Sequence, residues 1–359
     1  MPTAKENEGE NILLEISTLQ SKIESASIPP DLKESIKETL VRLNRAMQHG
    51  VYQTEFEQAA RYVEWVLGIP WTNRSKDNLD IKTAKEILDK SHYGLESIKS
   101  RLMEYLSVLK LQSEQSGGNV IKSNRSSVLC FIGLPGTGKT SFAASIAESM
   151  GRKFIRIAMG GMSNPMILRG QPRSYAQAEP GAVVRNLVKS KTKNPVILLD
   201  EIDSIARGAE SDIMGVLLEL LDPEQNSSFT DYYINYPIDL SEALFICSAN
   251  RMGNITSAVM DRLETIIMPR YTDDDKIIIA RDYLLPRELV NTSVDSSKVQ
   301  FSSDVWPLMV KPFGYELDIR NIERTINGVL RKVARKIVEE NVEQVIINPE
   351  NYREYLPQW

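Results

Sequence analysis

The chain has 359 residues, with 43 Lys and Arg against 48 Asp and Glu, a net charge of −5, and is 42% hydrophobic and 25% charged. That length accommodates two or three domains of the usual ~100–200 residues, and the composition is that of a soluble globular protein. No apolar run approaches the ~20 residues of a membrane helix and Met1 to Asn11 is polar rather than a signal sequence, so a cytoplasmic protein with no membrane partner is expected, while the acidic balance disfavours nucleic acid.

In chain order, residues 1–75 read as an all-α arm. Ile12, Ile16, Leu19 and Ile23 recur at helical spacing, and after Ser27-Ile28-Pro29-Pro30 a second run places Leu32, Ile36, Leu40, Leu43 and Met47 on one face. The two helices should fold back on each other. A third, from about Thr54, carries Tyr62, Trp65 and Val66 and ends at Gly68-Ile69-Pro70-Trp71, an aromatic cluster better read as core than as a ligand site. Beyond the polar stretch Thr72 to Asn78, two helices between Ile81 and Leu111 meet at Ser91-His92-Tyr93-Gly94-Leu95, and Ser113 to Ser127 reads as an exposed loop.

Strand and helix then alternate. Val128–Ile132, Phe154–Ile157, Pro195–Leu199, Leu244–Ser248 and Thr265–Met268 are short, nearly continuous apolar runs. Such runs separated by helices predict a parallel sheet covered on both faces, a doubly wound α/β domain over residues 76–271. Helices around Asp273–Leu284, Ser303–Val310 and Asp318–Glu340 predict a smaller helical lid, residues 272–359. Cys130 and Cys247 fall inside strand-like runs and read as small buried hydrophobes rather than a disulfide or metal pair. With only His49 and His92, a histidine-rich zinc site or a histidine-dependent triad has little to draw on.

The chemistry concentrates at Gly133-Leu134-Pro135-Gly136-Thr137-Gly138-Lys139-Thr140-Ser141, between a strand and a helix. Gly133, Gly136 and Gly138 let backbone N–H groups approach phosphate oxygens, and the following helix adds the positive end of its dipole. Lys139 can reach the β- and γ-phosphates of ATP, and the Thr140 hydroxyl can take a position on Mg²⁺. The third strand ends in Asp200-Glu201-Ile202-Asp203. At the carboxyl end of a parallel strand, Asp200 is placed to hold Mg²⁺ and Glu201 to orient or deprotonate water, although such a pair can also simply start a helix.

The order of this loop, Leu198-Leu199-Asp200-Glu201-Ile202-Asp203 and Leu218-Glu219-Leu220-Leu221-Asp222-Pro223-Glu224-Gln225-Asn226 resembles the ATPase module of Lon-type AAA+ proteases. Tyr62-Val63-Glu64-Trp65 with Ile69-Pro70-Trp71 is similar to that family's helical arm, and Tyr93-Gly94-Leu95-Glu96 with Glu104-Tyr105-Leu106 to its entry into the ATPase, so the likeness covers about residues 12–356. The resemblance implies a P-loop AAA+ fold and an ATP-driven ring, by family expectation a hexamer, that unfolds or translocates polypeptide. It also implies Asn250 as sensor 1, Arg262 as an arginine finger reaching a neighbouring subunit, Arg320 as the lid's sensor 2, Tyr93 and Ile98 in the adenine pocket, and Tyr175 as the pore-loop aromatic. Two of these positions have plainer readings: Asn250 could cap a turn, and Arg262 could pair with Asp261 or Glu264. After Tyr175 the chain has Ala176-Gln177-Ala178-Glu179 where the family usually has a bulky aliphatic residue, and Asn164-Pro165-Met166-Ile167-Leu168 replaces a typically acidic segment. No stretch resembles the family's protease domain or its globular N-terminal substrate domain, so peptide hydrolysis by this chain alone is not expected. A nucleotide-gated assembly or adaptor module, acting with a separate partner such as a protease, is the alternative. A clamp-loader-like remodeler of nucleic acid has only the shared architecture to support it.

Overall fold

The structure is a computed structural model that describes residues 4–47, 53–115, 128–311 and 318–357. Helix α1 (Ala4–Ser25) turns at Pro29 into α2 (Pro30–Met47), and α3 (Gln53–Gly68) packs on both. Ile16, Leu19 and Ile23 of α1 and Leu32, Ile36 and Leu40 of α2 are buried, as their spacing predicts. The side chains of Ile12 and Met47 lie outside the described residues. Asp80 caps α4 (Ile81–Ser91) by accepting the Thr83 N–H at 3.1 Å, and α5 (Glu96–Gln115) runs through Ser113. The remainder of the loop expected there, residues 116–127, is outside the described residues.

The nucleus is β1 (Val128–Ile132), α6 (Lys139–Ser149), β2 (Phe154–Ala158), α7 (Met166–Arg169), α8 (Ala182–Ser190), β3 (Val196–Asp200), α9 (Glu210–Leu221), a small hairpin of β4 (Phe229–Thr230) and β5 (Pro237–Ile238), β6 (Leu244–Ala249), α10 (Ser257–Met260) and β7 (Leu263–Ile267). Five of these strands form one sheet in the order β2-β3-β6-β1-β7, every pairing parallel. The fifth central strand starts at Leu263, two residues earlier than its apolar run suggests, because Val128↔Leu263 and Leu129↔Glu264 pairing extends the ladder through a charged residue.

Side chains alternate across a strand, so each one feeds two cores. Leu129 and Phe131, Val196 and Leu198, and Leu244 and Ile246 pack with Leu88, Leu102, Phe142 and Ile146 of α4–α6. Cys130 and Ile132, Ile197 and Leu199, and Phe245 and Cys247 face the other way, toward α8, α9 and the arm, whose Ile16, Leu40 and Val66 belong to the same continuous cluster. The Tyr62 hydroxyl donates to the Ile234 carbonyl at 3.2 Å and its ring meets that of Tyr233 at 6.2 Å, so this aromatic cluster is packing. Cys130 and Cys247 are register partners, buried and free, and burial pushes the Cys130 thiol up to about 12.

The C-terminal part has its own core. Thr272 caps α11 (Asp273–Ile278) through a reciprocal bond with Asp275, and a π-helical turn over Ile279–Leu284 leads into α12 (Leu285–Thr292). Strand β8 (Val299–Phe301) pairs in parallel with β9 (Val345–Ile347), around α13 (Trp306–Val310), the long α14 (Ile319–Glu340) and α15 (Tyr352–Tyr355). Ile279, Trp306, Ile326, Val329 and Leu330 form a hydrophobic cluster separate from both sheet cores.

Phe142 is fully buried, with its ring 5.4 Å from Phe131 and 5.0 Å from His92. Phe142→Ala is expected to cost about 3–5 kcal/mol, the usual range for removing a core aromatic, read as a lower urea midpoint at unchanged slope.

Candidate nucleotide site

The cradle begins where β1 ends. Gly136 and Gly138 sit at φ +81° and +90°, backbone open to glycine at little cost, and a β-carbon on Gly133 would lie 2.8 Å from the Met268 carbonyl oxygen. The turn closes over Lys139, whose Nζ donates to the carbonyls of Gly133 at 2.6 Å and Leu134 at 3.0 Å and to Asn250 Oδ1 at 3.0 Å. Burial lowers the Lys139 pKa, while Asp200, Asp203 and Glu201 act to raise it. Thr137 Oγ1 and Ser141 Oγ tie the turn to the carbonyls of Leu134 and Gly138, each at 2.9 Å.

Parallel pairing brings the other chemistry alongside. Ile132 is in register with Ala249, so Asn250 emerges beside the loop, and Asp200 closes β3 on the far side of β6. Asp200 is buried; its Oδ1 accepts the Ser248 hydroxyl, and its Oδ2 accepts Arg156 Nε at 2.6 Å and Thr140 Oγ1 at 3.3 Å. Glu201 follows at φ +61°, a left-handed conformation uncommon outside glycine, with its N–H on Ser248 Oγ at 2.9 Å. Its carboxylate lies against Gly160, where a β-carbon would sit 2.7 Å from Oε2. Asp203 accepts the N–H groups of Asn250 and Arg251, both at 3.0 Å. Asn250 is therefore fixed from its backbone by Asp203 while its side chain holds Lys139.

These groups open on a cleft of about 710 Å³ between the sheet and the lid, which Tyr93, Gly136, Gly138, Lys139, Thr140, Ser141, Asp200, Glu201 and Arg320 line together. Asp318 accepts the Asn321 N–H at 2.7 Å to cap α14, and a β-carbon on Gly136 would lie 3.0 Å from the Asp318 side chain, so α14 starts directly over the turn. Pro135 and Thr137 line a smaller recess with Tyr271 and Asp318. A cleft with Lys139, Arg320 and Arg287 on its walls and two carboxylates at its base suits a polyphosphate chelated to a divalent cation. The donor chemistry is compatible with that group: Thr140 Oγ1 and Asp200 Oδ2, 3.3 Å apart, are oxygen donors of the kind a small divalent cation takes.

Three candidates lie elsewhere. Ile98 is buried in the core with α4 and β1 and does not line the cleft. Arg262 is outside the cleft, bound neither to Asp261 nor to Glu264: Nη2 and Nε donate to Asp222 Oδ2 at 2.8 and 3.3 Å, and Nη1 to the Ala258 carbonyl at 2.9 Å. That bond holds the Asp222 carboxyl below its ordinary pKa. Tyr175 is exposed, on the loop between Gly170 and Gly181, where Arg173 stacks on Tyr62 of the arm at 4.0 Å.

Sequence reasoning missed Arg156, Ser248 and His92. Arg156 breaks the apolar run of its strand between Ile155 and Ile157, a signal that was legible; Ser248 is plain only once the register is known. His92 lines the cleft with Nε2 3.1 Å from Ser141 Oγ and Nδ1 2.9 Å from Ser91 Oγ, and burial, reinforced by Lys99 and Arg287, pushes its imidazole down to about 4.

A strand-turn-helix phosphate cradle beside paired carboxylates on a parallel β2-β3-β6-β1-β7 sheet defines a P-loop ATPase, and residues 129–271 match the ATPase family associated with various cellular activities (AAA). Residues 129–271 are thus an AAA ATPase domain, and the chain is homologous to the ATPase region of Lon proteases. It is 40% identical over 96% of its length to Lon protease of Dictyoglomus thermophilum, covering 42% of that protein. It is 39% identical over 98% of its length to Lon protease 2 of Thermus thermophilus, covering 44%, and 38% identical over 94% to the human mitochondrial Lon protease homolog, covering 34%. The chain thus spans less than half the length of these relatives.

The histidine gives this site a pH signature. An unfolded imidazole titrates near 6.5 and the folded one near 4, so as pH falls between them the unfolded chain takes up the proton first and stability drops. Urea unfolding across this window is expected to show a loss of about 3 kcal/mol from His92, and His92→Gln to remove that part of the slope.

Proposed function

We propose that the chain is the ATP-hydrolysing motor of a ring, built from a helical arm over residues 1–75, a nucleotide-binding domain over 76–271 and a lid over 272–359, that pulls or remodels polypeptide. The observation that carries the proposal is the Lys139–Asn250 bond beside Asp200 and Glu201, which unites three strand ends around one point. The Gly133–Thr140 backbone would cradle the phosphates of ATP, with Pro135 and Thr137 shaping its lid side and Ser141 joined to His92 at the base. Lys139 would exchange its carbonyl partners for β- and γ-phosphate oxygens. Thr140 and Asp200 would hold Mg²⁺, which when bound neutralises charge on the phosphates. Glu201 would accept a proton from the attacking water while Asn250 orients that water, and Arg320 would report the phosphate to the lid. Tyr93, beside Tyr283 at 6.2 Å, supports a role at the base of the nucleotide, whereas Ile98, packed in the α4–α6 core, does not reach the cleft.

Arg262 would serve a neighbouring subunit's site, which requires an oligomer; closure of identical head-to-tail contacts gives a ring, and a hexamer is the size proposed here. Exposed Tyr175 supports polypeptide as the cargo. A peptidase or adaptor is the functional partner proposed for the motor, and a cytoplasmic setting accords with two buried free thiols. A nucleotide-gated adaptor is a second reading, favoured by the Arg173–Tyr62 contact that fastens the Tyr175 loop to the arm.

Glu201→Gln is expected to retain nucleotide binding and lose about 100-fold or more in ATP turnover. Wild-type turnover per subunit should rise with protein concentration in step with assembly measured by light scattering, and Arg262→Ala should abolish that rise, with a loss of roughly 10³-fold or more at saturation. Undiminished turnover in Glu201→Gln would refute the hydrolytic assignment, and concentration-independent turnover would refute the ring.

A further inference from the structure

The loop that carries Tyr175 is clamped at its root. Gln171 N–H donates to the Glu179 carbonyl at 3.1 Å, and Gly181 N–H to Asp231 Oδ2 at 2.7 Å. Neither glycine that flanks the loop has room for a side chain: a β-carbon would fall 2.7 Å from Asp231 Oδ1 at Gly170 and 1.9 Å from the Leu168 carbonyl at Gly181. Immediately before this root, Arg169 bonds to Glu219 and to the Tyr232 hydroxyl at 2.7 Å, and its own carbonyl takes the Tyr232 N–H at 2.7 Å.

Glu219 lies in the last turn of α9, and Asp222, three residues on, is the cap residue of the same helix. Positions three apart are neighbours on a helix surface. One rigid helix end, anchored by buried Leu217, Leu220 and Leu221, therefore holds Arg262 through one carboxylate and the loop root through the other. We propose that this turn of α9 is a relay in which Glu219 is a positioning residue, transmitting to the Tyr175 loop whether Arg262 is seated on Asp222 or withdrawn toward a neighbouring subunit. The inference rests on the readings of Arg262 and Tyr175 given above. Arg169 keeps Tyr232 and the face of its ring, 5.1 Å away, when Glu219 is changed, so the loop root stays folded and only its link to α9 is cut.

The test uses the full chain and two readouts. With reduced, carboxymethylated lysozyme as the polypeptide, Glu219→Gln is expected to leave basal ATP turnover within about twofold and to cut the polypeptide-stimulated increment about fivefold or more. Arg169→Gln, which also gives up Tyr232, should lose at least as much of the increment, and the double variant should be no worse than Arg169→Gln alone. Independently of activity, amide hydrogen exchange in residues 171–180 should rise about threefold or more in Asp222→Asn, and Asp222→Asn should add nothing once Glu219 is Gln. Additive effects, equal losses of basal and stimulated turnover, or loop exchange indifferent to Asp222 would each overturn the relay. If Tyr175→Ala leaves stimulation intact, or wild type shows none, the polypeptide reading fails instead, and hydrogen exchange alone decides the relay.

Discussion

The meeting of Lys139, Asn250 and Asp200 depends on β6 being inserted, parallel, between β3 and β1. Parallel strands deliver their carboxyl ends to the same edge, and the register Ile132↔Ala249 with Leu199↔Cys247 sets three of those ends level. Once they are level, Lys139, Asn250 and Asp200 are neighbours without any local sequence relation. Ser248 ties β6 to the end of β3, donating to Asp200 and accepting from the Glu201 N–H. A slip of one residue in β6 would turn Ser248 and Ile246, which share a face, to the other side of the sheet and put Phe245 and Cys247 in their place.

The same geometry explains what the sequence disclosed. The phosphate cradle is contiguous, so its glycines, Lys139 and Thr140 stand out in one line of text, and the apolar strands announce a parallel sheet. Pairings across long separations are silent. Asp222 is 40 residues from Arg262 and both are common surface residues, so the arginine read as a finger gave no hint of its partner in this chain. The resemblance implies Tyr93 and Ile98 together at the adenine pocket, yet Gly94 and Leu95, both at positive φ, reorient the backbone before α5, and Ile98 lies in the core. His92 resembled an ordinary helix-end residue because its value lies in Ser141, 49 positions away.

The arm shows how packing can fasten a segment that composition alone reads as a free connection. The polar stretch after Trp71 looks like a linker, but it is pinned. Arg74 donates to buried Glu242 at 2.5 and 2.8 Å, Arg152 grips Asp77, and Asn194 accepts the Ser75 N–H. Glu242 also takes Lys193 at 3.0 Å, so a buried carboxylate is satisfied by two cations, as burial of charge demands. With Ile16, Leu40 and Val66 sharing a core with the sheet, the arm and the sheet are packed as one hydrophobic unit.

The lid's separate hydrophobic cluster has the opposite effect. The cleft runs along a seam between two bodies that have each completed their own burial, so widening or narrowing it leaves Trp306, Ile326 and Val329 on one side and Phe131 and Phe142 on the other undisturbed. Only the seam's own contacts change, among them Asp318 over Gly136 and the Tyr283 hydroxyl on the Asp89 carbonyl at 3.1 Å. Like a book whose boards are stiff and whose spine alone bends, the molecule can convert a small difference in what lies between the leaves into a large swing at their outer edges.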